Sequence, residues 1–318
     1  MTEIILAIFF ITVLLLFLSS GVWVALSMIG VSAIAMELFT SRPVGDAMAT
    51  TIWGMSSSWT LTALPLFVWM GEILFRTKLS KNLFEGLSPW MQKLPGGLIH
   101  VNVVGCAIFA AISGSSAATV ATVGKMSIPE LRKRNYPEKI LLGSLAGSGT
   151  LGLLIPPSII LIIYGVTVQE SIAKLFIAGI FPGIMIAIIF MTYVVIWSLM
   201  NKDKMPVLTE EIPFIEKIKK SGKLIPVILL IVSVIGSIYS GVATATEAAS
   251  LGVVGALILS FFQKSLTIDS FKKSLLGATK TSCMIGFILA GSTFLSCLLY
   301  TSDAADERSS VDLGGRRI

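Results

Sequence analysis

Long apolar stretches separated by short charged connectors dominate this chain. Residues 4–39 contain one charged residue, Glu37, and uncharged stretches of similar character recur through most of the sequence. A run of about 17 or more apolar residues is long enough to cross a hydrocarbon core of about 30 Å as a helix. The pattern therefore predicts an all-α, polytopic membrane protein. Within residues 4–39, Ser19-Ser20-Gly21 predicts two short helices joined by a tight turn, and one long tilted helix is the alternative.

The basic residues are concentrated in a few connectors, and this sets the predicted topology. The connectors 76–93, 125–139, 202–223 and 264–280 are rich in Lys and Arg, whereas those around 41–58, 167–174 and 240–247 carry almost none. Basic loops are retained on the cytoplasmic side of a membrane. Residues 140–166 with 175–200, and 224–240 with 247–263, are therefore predicted to form out-and-back pairs.

Residues 95–124 have basic connectors on both sides but are too few for two full spans at 1.5 Å per residue. We predict a re-entrant hairpin that enters from the cytoplasmic side and returns. Its centre, Ser113-Gly114-Ser115-Ser116-Ala117-Ala118-Thr119, has only small and hydroxyl-bearing residues. Such residues suit non-helical backbone that lines a cavity at membrane depth. The alternative is an ordinary span that uses these small residues for helix contacts.

A helix break is predicted inside residues 140–166. The segment that begins Gly147-Ser148-Gly149 and ends Pro156-Pro157-Ser158 has two prolines, which free backbone carbonyl groups from the helical hydrogen-bond ladder. A broken helix that faces a hairpin tip is a recurring way to build an ion site in a transporter. A simple proline kink with glycine packing is the alternative.

A third polar motif precedes the span that starts near residue 247. Gly241, Thr244 and Thr246 come directly before Glu247, which begins an otherwise uncharged stretch. Thr and Glu are favourable at a helix N-terminus, so an N-terminal cap is the simplest interpretation of the motif. A loop that caps its helix and also supplies cation ligands is the other interpretation.

A polar connector followed by a span occurs at 43–75 and again at 266–298. The charge pattern assigns the two copies to opposite sides, as in an inverted repeat. We predict scaffold helices and a first connector arm at 1–94, the first half of a transport domain at 95–200 (hairpin 95–124, broken helix 140–166), and the start of an incomplete second repeat at 201–299. Residues 300–318 are highly charged without apolar periodicity, and we expect a non-native tail after a C-terminal truncation.

Composition agrees with a membrane protein and excludes other classes. Hydrophobic residues make up 54% of the chain and charged residues 13%, against about 25% charged in soluble domains. The net charge of +6 comes from Lys and Arg in short connectors, so it does not indicate nucleic acid binding. Cys106, Cys283 and Cys297 lie in apolar segments without metal-ligand spacing and are expected to be buried.

Together, the Ser113–Thr119 motif, Gly149-Thr150-Leu151-Gly152 with Ile155-Pro156-Pro157-Ser158, and Gly241 with Thr244-Ala245-Thr246-Glu247 resemble the large membrane subunit of tripartite ATP-independent periplasmic (TRAP) transporters. The resemblance covers residues 1 to about 299. It implies an elevator-type carrier in the bacterial inner membrane that takes up a small organic acid, of the dicarboxylate or sialic-acid class, together with Na⁺. It also implies two partners, a periplasmic substrate-binding protein and a small membrane subunit.

The resemblance also implies where ions and substrate bind. One sodium site would lie between Ser115 and Ser116 of the hairpin tip and carbonyls near Gly152, Ile155 and Pro157. A second would use Gly241 and Thr244, with its other ligands from a second hairpin; Ala245 stands where the family often has proline. We expect substrate contacts from the hydroxyl groups of Ser113, Thr119 and Thr246. Na⁺ is the only cofactor expected, as the coupling ion.

Other functions remain open at this stage. A sodium-coupled carboxylate carrier of another family would work without a binding protein. A channel would show flux without saturation, and a scaffold subunit would not need a polar hairpin tip. An intramembrane serine protease built on Ser115 would need a histidine, and the single histidine, His100, is poorly placed near the membrane surface. We therefore expect a transporter and not an enzyme.

Overall fold

The structure is a computed structural model that describes residues 2–40, 42–77, 79–206 and 213–312, with side chains in the same ranges except 2–6, 79–81 and 298–312. The described residues form fourteen α-helices and no strand. In chain order these are α1 Thr2–Ser19, α2 Val24–Phe39, α3 Val44–Ser56, α4 Ala63–Phe75, α5 Leu79–Met91, α6 Ile99–Ser113, α7 Ser116–Lys133, α8 Glu138–Gly149, α9 Ile159–Thr167, α10 Ile172–Met200, α11 Phe214–Ser221, α12 Ile225–Tyr239, α13 Ala245–Phe262 and α14 Ile268–Asp312.

The described residues within 1–58 and 281–318 form one compact unit, built on α1, α2, α3 and the second part of α14. The prediction of two helices within residues 4–39 is confirmed, because α1 ends at Ser19 and Gly21 turns the chain with φ of +80°. Ala35, Met36, Ala47 and Phe294 form the buried core of this unit. Helix α14 packs closely on α2, since a Cβ atom at Gly291 would lie 2.8 Å from the carbonyl oxygen of Ala25.

Residues 59–280 form the second unit, in which α6 and α7 make the predicted helical hairpin. The hairpin is longer than predicted, because α7 continues to Lys133 and includes much of the expected connector 125–139. Pro129 lies inside this extension, but Lys, Met, Glu, Leu and Arg on either side of it are good helix formers. Leu131 is also fully buried, so packing stabilises this extension.

The predicted helix break is present between α8 and α9. Helix α8 ends at Gly149, a short 3₁₀ helix spans Thr150–Leu153, and α9 begins at Ile159. The intervening residues 154–158, which we call the broken segment, have no helical structure. Helix α10 then runs for 29 residues, and α12 and α13 form the second predicted pair.

Among the described residues, four helices are long and apolar enough to cross a membrane: Ile172–Met200, Phe214–Tyr239, Ala245–Phe262 and Ile268–Cys297. A fifth span results if Val44–Ser56 and Trp59–Phe75 count as one broken helix. Large apolar side chains of these helices point outward, as at Phe181, which is 77% exposed. Apolar side chains on an outer surface are suited to lipid, so the chain is a multi-pass membrane protein.

The two predicted repeat units differ in local structure. Residues 43–75 are interrupted between α3 and α4, whereas residues 266–298 lie almost entirely within the continuous helix α14. The polar residues Ser56-Ser57-Ser58 occur only in the first copy and coincide with its interruption. The inverted repeat and the domain boundaries derived from it stay predictions.

Candidate functional site

The tip of the hairpin is a turn of only two residues. Gly114 ends α6 in the left-handed region, with φ of +58°, which favours glycine because it has no Cβ atom. Ser115 is extended and caps α7, where its Oγ atom accepts a hydrogen bond of 3.5 Å from the backbone N–H of Ala118. The Ser-Gly-Ser sequence therefore determines where the chain reverses.

The hydroxyl groups of Ser113 and Thr119 stabilise this turn from inside. Their oxygen atoms are 3.0 Å apart, and Thr119 donates a hydrogen bond of 2.8 Å to the carbonyl oxygen of Ser115. Thr119 is fully buried and Ser113 almost so. The predicted substrate-binding residues Ser113 and Thr119 are thus neighbours, and both hold the Ser115 carbonyl in place.

The broken segment leaves free some backbone carbonyl oxygens that would accept hydrogen bonds in a regular helix. The N–H groups of Leu154 and Ile155 both bond to the Leu151 carbonyl, at 3.1 and 2.9 Å. The two prolines that follow have no N–H to donate. Among the described residues, no hydrogen bond reaches the carbonyl oxygens of Ile155 and Pro157. Two of the predicted ligand carbonyls are therefore available to bind an ion.

Backbone atoms of the hairpin tip and the broken helix are in direct contact. The N–H of Ile159 donates a hydrogen bond of 3.3 Å to the Gly114 carbonyl. A Cβ atom at Gly114 would lie 2.6 Å from the Pro157 carbonyl oxygen, and one at Gly152 would lie 2.9 Å from the Ser116 nitrogen. Each partner thus contributes a glycine that permits the approach, and we call this the tip contact. Of the first predicted set, Ser115, Ser116, Gly152 and Pro157 are brought together here, and Ile155 lies two residues before Pro157 in the broken segment.

Ser116 has an unpaired hydroxyl group at the tip contact. Its Oγ atom is shielded from solvent and has no hydrogen-bond partner. Leaving a buried hydroxyl unpaired costs about 1–3 kcal/mol. Hard cations bind oxygen ligands such as hydroxyl and carbonyl groups. An unsatisfied hydroxyl at the tip and unsatisfied carbonyls of the broken segment are thus oxygen groups of the kind that such a cation binds.

The third motif lies in a different place. Thr244 caps α13 in a reciprocal capping box: its Oγ1 atom accepts a hydrogen bond of 3.3 Å from the Glu247 backbone N–H, and its own backbone N–H donates one of 2.8 Å to a Glu247 carboxylate oxygen. Thr244 and Thr246 line an open cleft of about 610 Å³ with Trp59, Gln169, Glu170 and other residues of the short connectors. Gly241 turns the chain before the cap with φ of +71°. The predicted cap is confirmed, and this cleft contains none of the tip residues.

Comparison with known proteins identifies the family. A sequence model of the family described as tripartite ATP-independent periplasmic transporter, DctM component, matches residues 11–311. The chain is a DctM-family protein. The family and its relatives are transport permeases, so the chain is not an enzyme.

Individual relatives of this DctM-family chain carry several different transporter names. A C4-dicarboxylate TRAP transporter large permease protein DctM from Pseudomonas aeruginosa is 33% identical over 85% of this chain and 62% of its own length. An isethionate TRAP transporter permease protein DctMQ from Oleidesulfovibrio alaskensis is 31% identical over 94% of this chain and 47% of its own length. A 2,3-diketo-L-gulonate TRAP transporter large permease protein from Escherichia coli is 33% identical over 79% of this chain and 59% of its own length. The chain thus spans about half to two thirds of the length of these curated relatives.

Two helices, α4 and α10, position the hairpin tip and the broken segment of this DctM-family chain through three glycines that were not predicted from the sequence. A Cβ atom at Gly71 of α4 would lie 3.0 Å from the Ser113 Cα atom. One at Gly179 of α10 would lie 2.7 Å from the Leu154 carbonyl oxygen, and one at Gly183 would lie 2.8 Å from an Ile155 side-chain carbon. A glycine inside an apolar helix is the available sequence signal for close packing.

His100 and the cysteines have no part in the tip contact. The Nε2 atom of His100 donates a hydrogen bond of 2.8 Å to the Pro95 carbonyl, at the end of α6 that lies about 20 Å from Ser115. Cys106 is buried as predicted and Cys297 is half-buried, but the prediction is wrong for Cys283, which is exposed. Among the described residues, no group of His, Cys, Asp or Glu could hold a metal ion.

Proposed function

We propose that this chain is the large permease subunit of a sodium-driven TRAP uptake system in the bacterial inner membrane. Its substrate is a small organic acid, of the dicarboxylate or sialic-acid class, that a periplasmic binding protein delivers. Family membership and relatives named for C4-dicarboxylates and 2,3-diketo-L-gulonate support this substrate class. A small membrane subunit is the second partner, and the combined name DctMQ of one relative supports a further membrane component.

Sodium binds at the tip contact in this proposal. The ligands are the hydroxyls of Ser115 and Ser116 and carbonyls near Gly152, Ile155 and Pro157. The unpaired, buried hydroxyl of Ser116 is the observation that carries the assignment. Neutral oxygen ligands suit a monovalent cation because they avoid the cost of burying a carboxylate at membrane depth.

Substrate and a second sodium ion bind in the same transport cycle. Gly241 and Thr244 contribute to the second sodium site, and Ser113, Thr119 and Thr246 donate hydrogen bonds to the substrate carboxylate. The hairpin and the broken helix move together in an elevator mechanism, and the tip contact supports this because it links their backbones directly. Sodium that bridges the two elements would then be a condition for movement of the loaded site.

Uptake into proteoliposomes tests the sodium assignment. The chain is reconstituted with its small subunit and binding protein, and uptake of a labelled dicarboxylate is measured with sodium or potassium outside. Ser116→Ala is expected to raise the sodium concentration for half-maximal uptake about tenfold, as for loss of one ligand hydroxyl. Ser237→Ala is the matched control, because its half-buried hydroxyl bonds only to the Val234 carbonyl of its own helix.

Unchanged sodium dependence in Ser116→Ala would contradict the proposed site. Equal uptake in potassium would reject sodium coupling altogether. Uptake of the free acid without any binding protein would instead favour a sodium-coupled carboxylate carrier of another family. This second arrangement uses the same tip contact, so only the omission of the binding protein separates the two.

A further inference from the structure

A groove of about 480 Å³ lies between α5, the end of α7 and α11, remote from the tip contact. Its lining combines charged side chains with the apolar side chains of Phe84, Pro89 and Met126. The charged residues are Glu85, Glu130, Arg134, Lys220 and Lys223. A concave surface with both charged and apolar walls fits a ligand that has a charged head and an apolar body.

Two of these charges have no partner within the described part of the chain. Lys223 pairs with Glu85 at 2.5 Å, and Lys220 pairs with Glu216 at 3.0 Å. Glu130 and Arg134 lie four residues apart at the end of α7, where side chains share one face. Neither of them forms an ion pair with the other or with any further described residue. The groove therefore presents one unpaired carboxylate beside one unpaired guanidinium group.

Helix α11 borders the groove through Lys220 and carries its exposed apolar side chains on the face away from that residue, as an amphipathic helix at a membrane interface does. Phe214, Ile215 and Ile218 of α11 are 66%, 81% and 51% exposed. Helix α11 leads directly into the span that ends at Tyr239, and it belongs to one of the Lys-rich connectors. Trp90, at the end of α5, donates an indole hydrogen bond of 2.7 Å to Ser221 and packs against Phe214. Aromatic and basic residues at a helix end are typical of the cytoplasmic membrane surface.

We propose that this groove binds the headgroup of a zwitterionic phospholipid, phosphatidylethanolamine, from the cytoplasmic leaflet. Arg134 and Lys220 hold the phosphate, since a guanidinium group pairs with phosphate through two parallel hydrogen bonds. Glu130 accepts hydrogen bonds from the ammonium group. The acyl chains follow the exposed apolar side of α11.

The unpaired carboxylate of Glu130 selects between lipid classes. Phosphatidylglycerol also offers a phosphate to Arg134, but it has no cation for Glu130, so that carboxylate stays unpaired beside an anion. Phosphatidylethanolamine satisfies both unpaired charges at once. Specificity in this groove thus comes from a repulsive element as well as an attractive one.

Lipid binding to the purified chain tests the proposal. The protein in detergent is mixed with phosphatidylethanolamine or phosphatidylglycerol, and bound lipid is counted by native mass spectrometry. The wild type is expected to bind phosphatidylethanolamine about tenfold more tightly, as for one charge-assisted hydrogen bond. Arg134→Gln should weaken both lipids by a similar factor. Arg132→Gln is the control, because Arg132 pairs with Glu138 and does not line the groove.

Glu130→Gln separates a specific effect from loss of folding. This variant should bind phosphatidylethanolamine more weakly and phosphatidylglycerol more strongly than the wild type does, and a misfolded protein cannot produce this inversion. Equal affinity of the wild type for the two lipids would overturn the proposal. So would a Glu130→Gln variant that weakens both lipids alike, or an Arg132→Gln variant as weak as Arg134→Gln.

Discussion

Replacing Gly152 with alanine should separate the hairpin tip from the broken helix. The added Cβ atom would lie 2.9 Å from both the Ser115 carbonyl carbon and the Ser116 nitrogen. Ordinary contacts begin near 3.4 Å, so the two backbones must move apart by about 0.5 Å. Because backbone atoms cannot rotate away as a flexible side chain can, we expect destabilisation by about 1–3 kcal/mol, as for overpacking in a well-packed core.

Gly143→Ala is the matched control, because Gly143 lies on α8 and a Cβ atom there would have no neighbour within 4 Å. Alanine at an unobstructed helix position stabilises by about 0.5–1 kcal/mol relative to glycine. The two variants should therefore differ by about 1.5–4 kcal/mol, with opposite signs relative to the wild type.

Thermal unfolding of the purified chain, followed by tryptophan fluorescence, measures this difference. Unfolding in sodium and in potassium should also show that Gly152→Ala loses any stabilisation that is specific to sodium, since the displaced backbone moves the ligands. A Gly152→Ala protein that melts at or above the wild type would refute the tip contact. If Gly152→Ala is destabilised but keeps the full sodium-specific stabilisation, the sodium ion does not bind at the tip contact.

Two further predictions concern contacts outside the tip. Thr244→Ala removes the capping box of α13 and should cost about 1 kcal/mol in chemical unfolding, in potassium as well as in sodium; an unchanged midpoint in potassium would count against the cap. Tyr136 accepts a hydrogen bond of 3.0 Å from the buried N–H of Leu98, so Tyr136→Phe should cost about 1–3 kcal/mol. Burial raises the pKa of Tyr136 above its ordinary value of 10.0. The unfolded chain therefore ionises first, and the wild type should lose stability as the pH rises above about 10, a component that Tyr136→Phe should lack.

Local signals in the sequence predicted the interruptions of the helices well. Ser19-Ser20-Gly21 marked the turn between α1 and α2, and the pair Pro156-Pro157 marked the break before α9. These residues act through their own backbone preferences, which do not depend on the rest of the fold. The hairpin was predicted differently, from the basic connectors on both sides of residues 95–124 and the small residues of its centre, and the structure adds that Gly114 makes the turn.

Features that depend on neighbouring elements could not be predicted in this way. Helix α7 continues beyond the predicted boundary, because basic residues favour a loop position on topological grounds without opposing helix formation. Gly71, Gly179 and Gly183 approach other backbones closely, but the sequence does not reveal which helix faces each of them. Ser116 was selected from the family resemblance, whereas its unpaired hydroxyl is a property of the packed structure.

The tip contact also determines which substitutions the site tolerates. Its closest approaches run between glycines and main-chain atoms, at Gly114 with Pro157 and at Gly152 with Ser115. A side chain added at either glycine would force these main chains apart, whereas residues away from the tip do not take part in the junction. A protein engineer could therefore vary Thr246, which lines the separate cleft, to alter substrate preference while the junction that carries the movement stays intact.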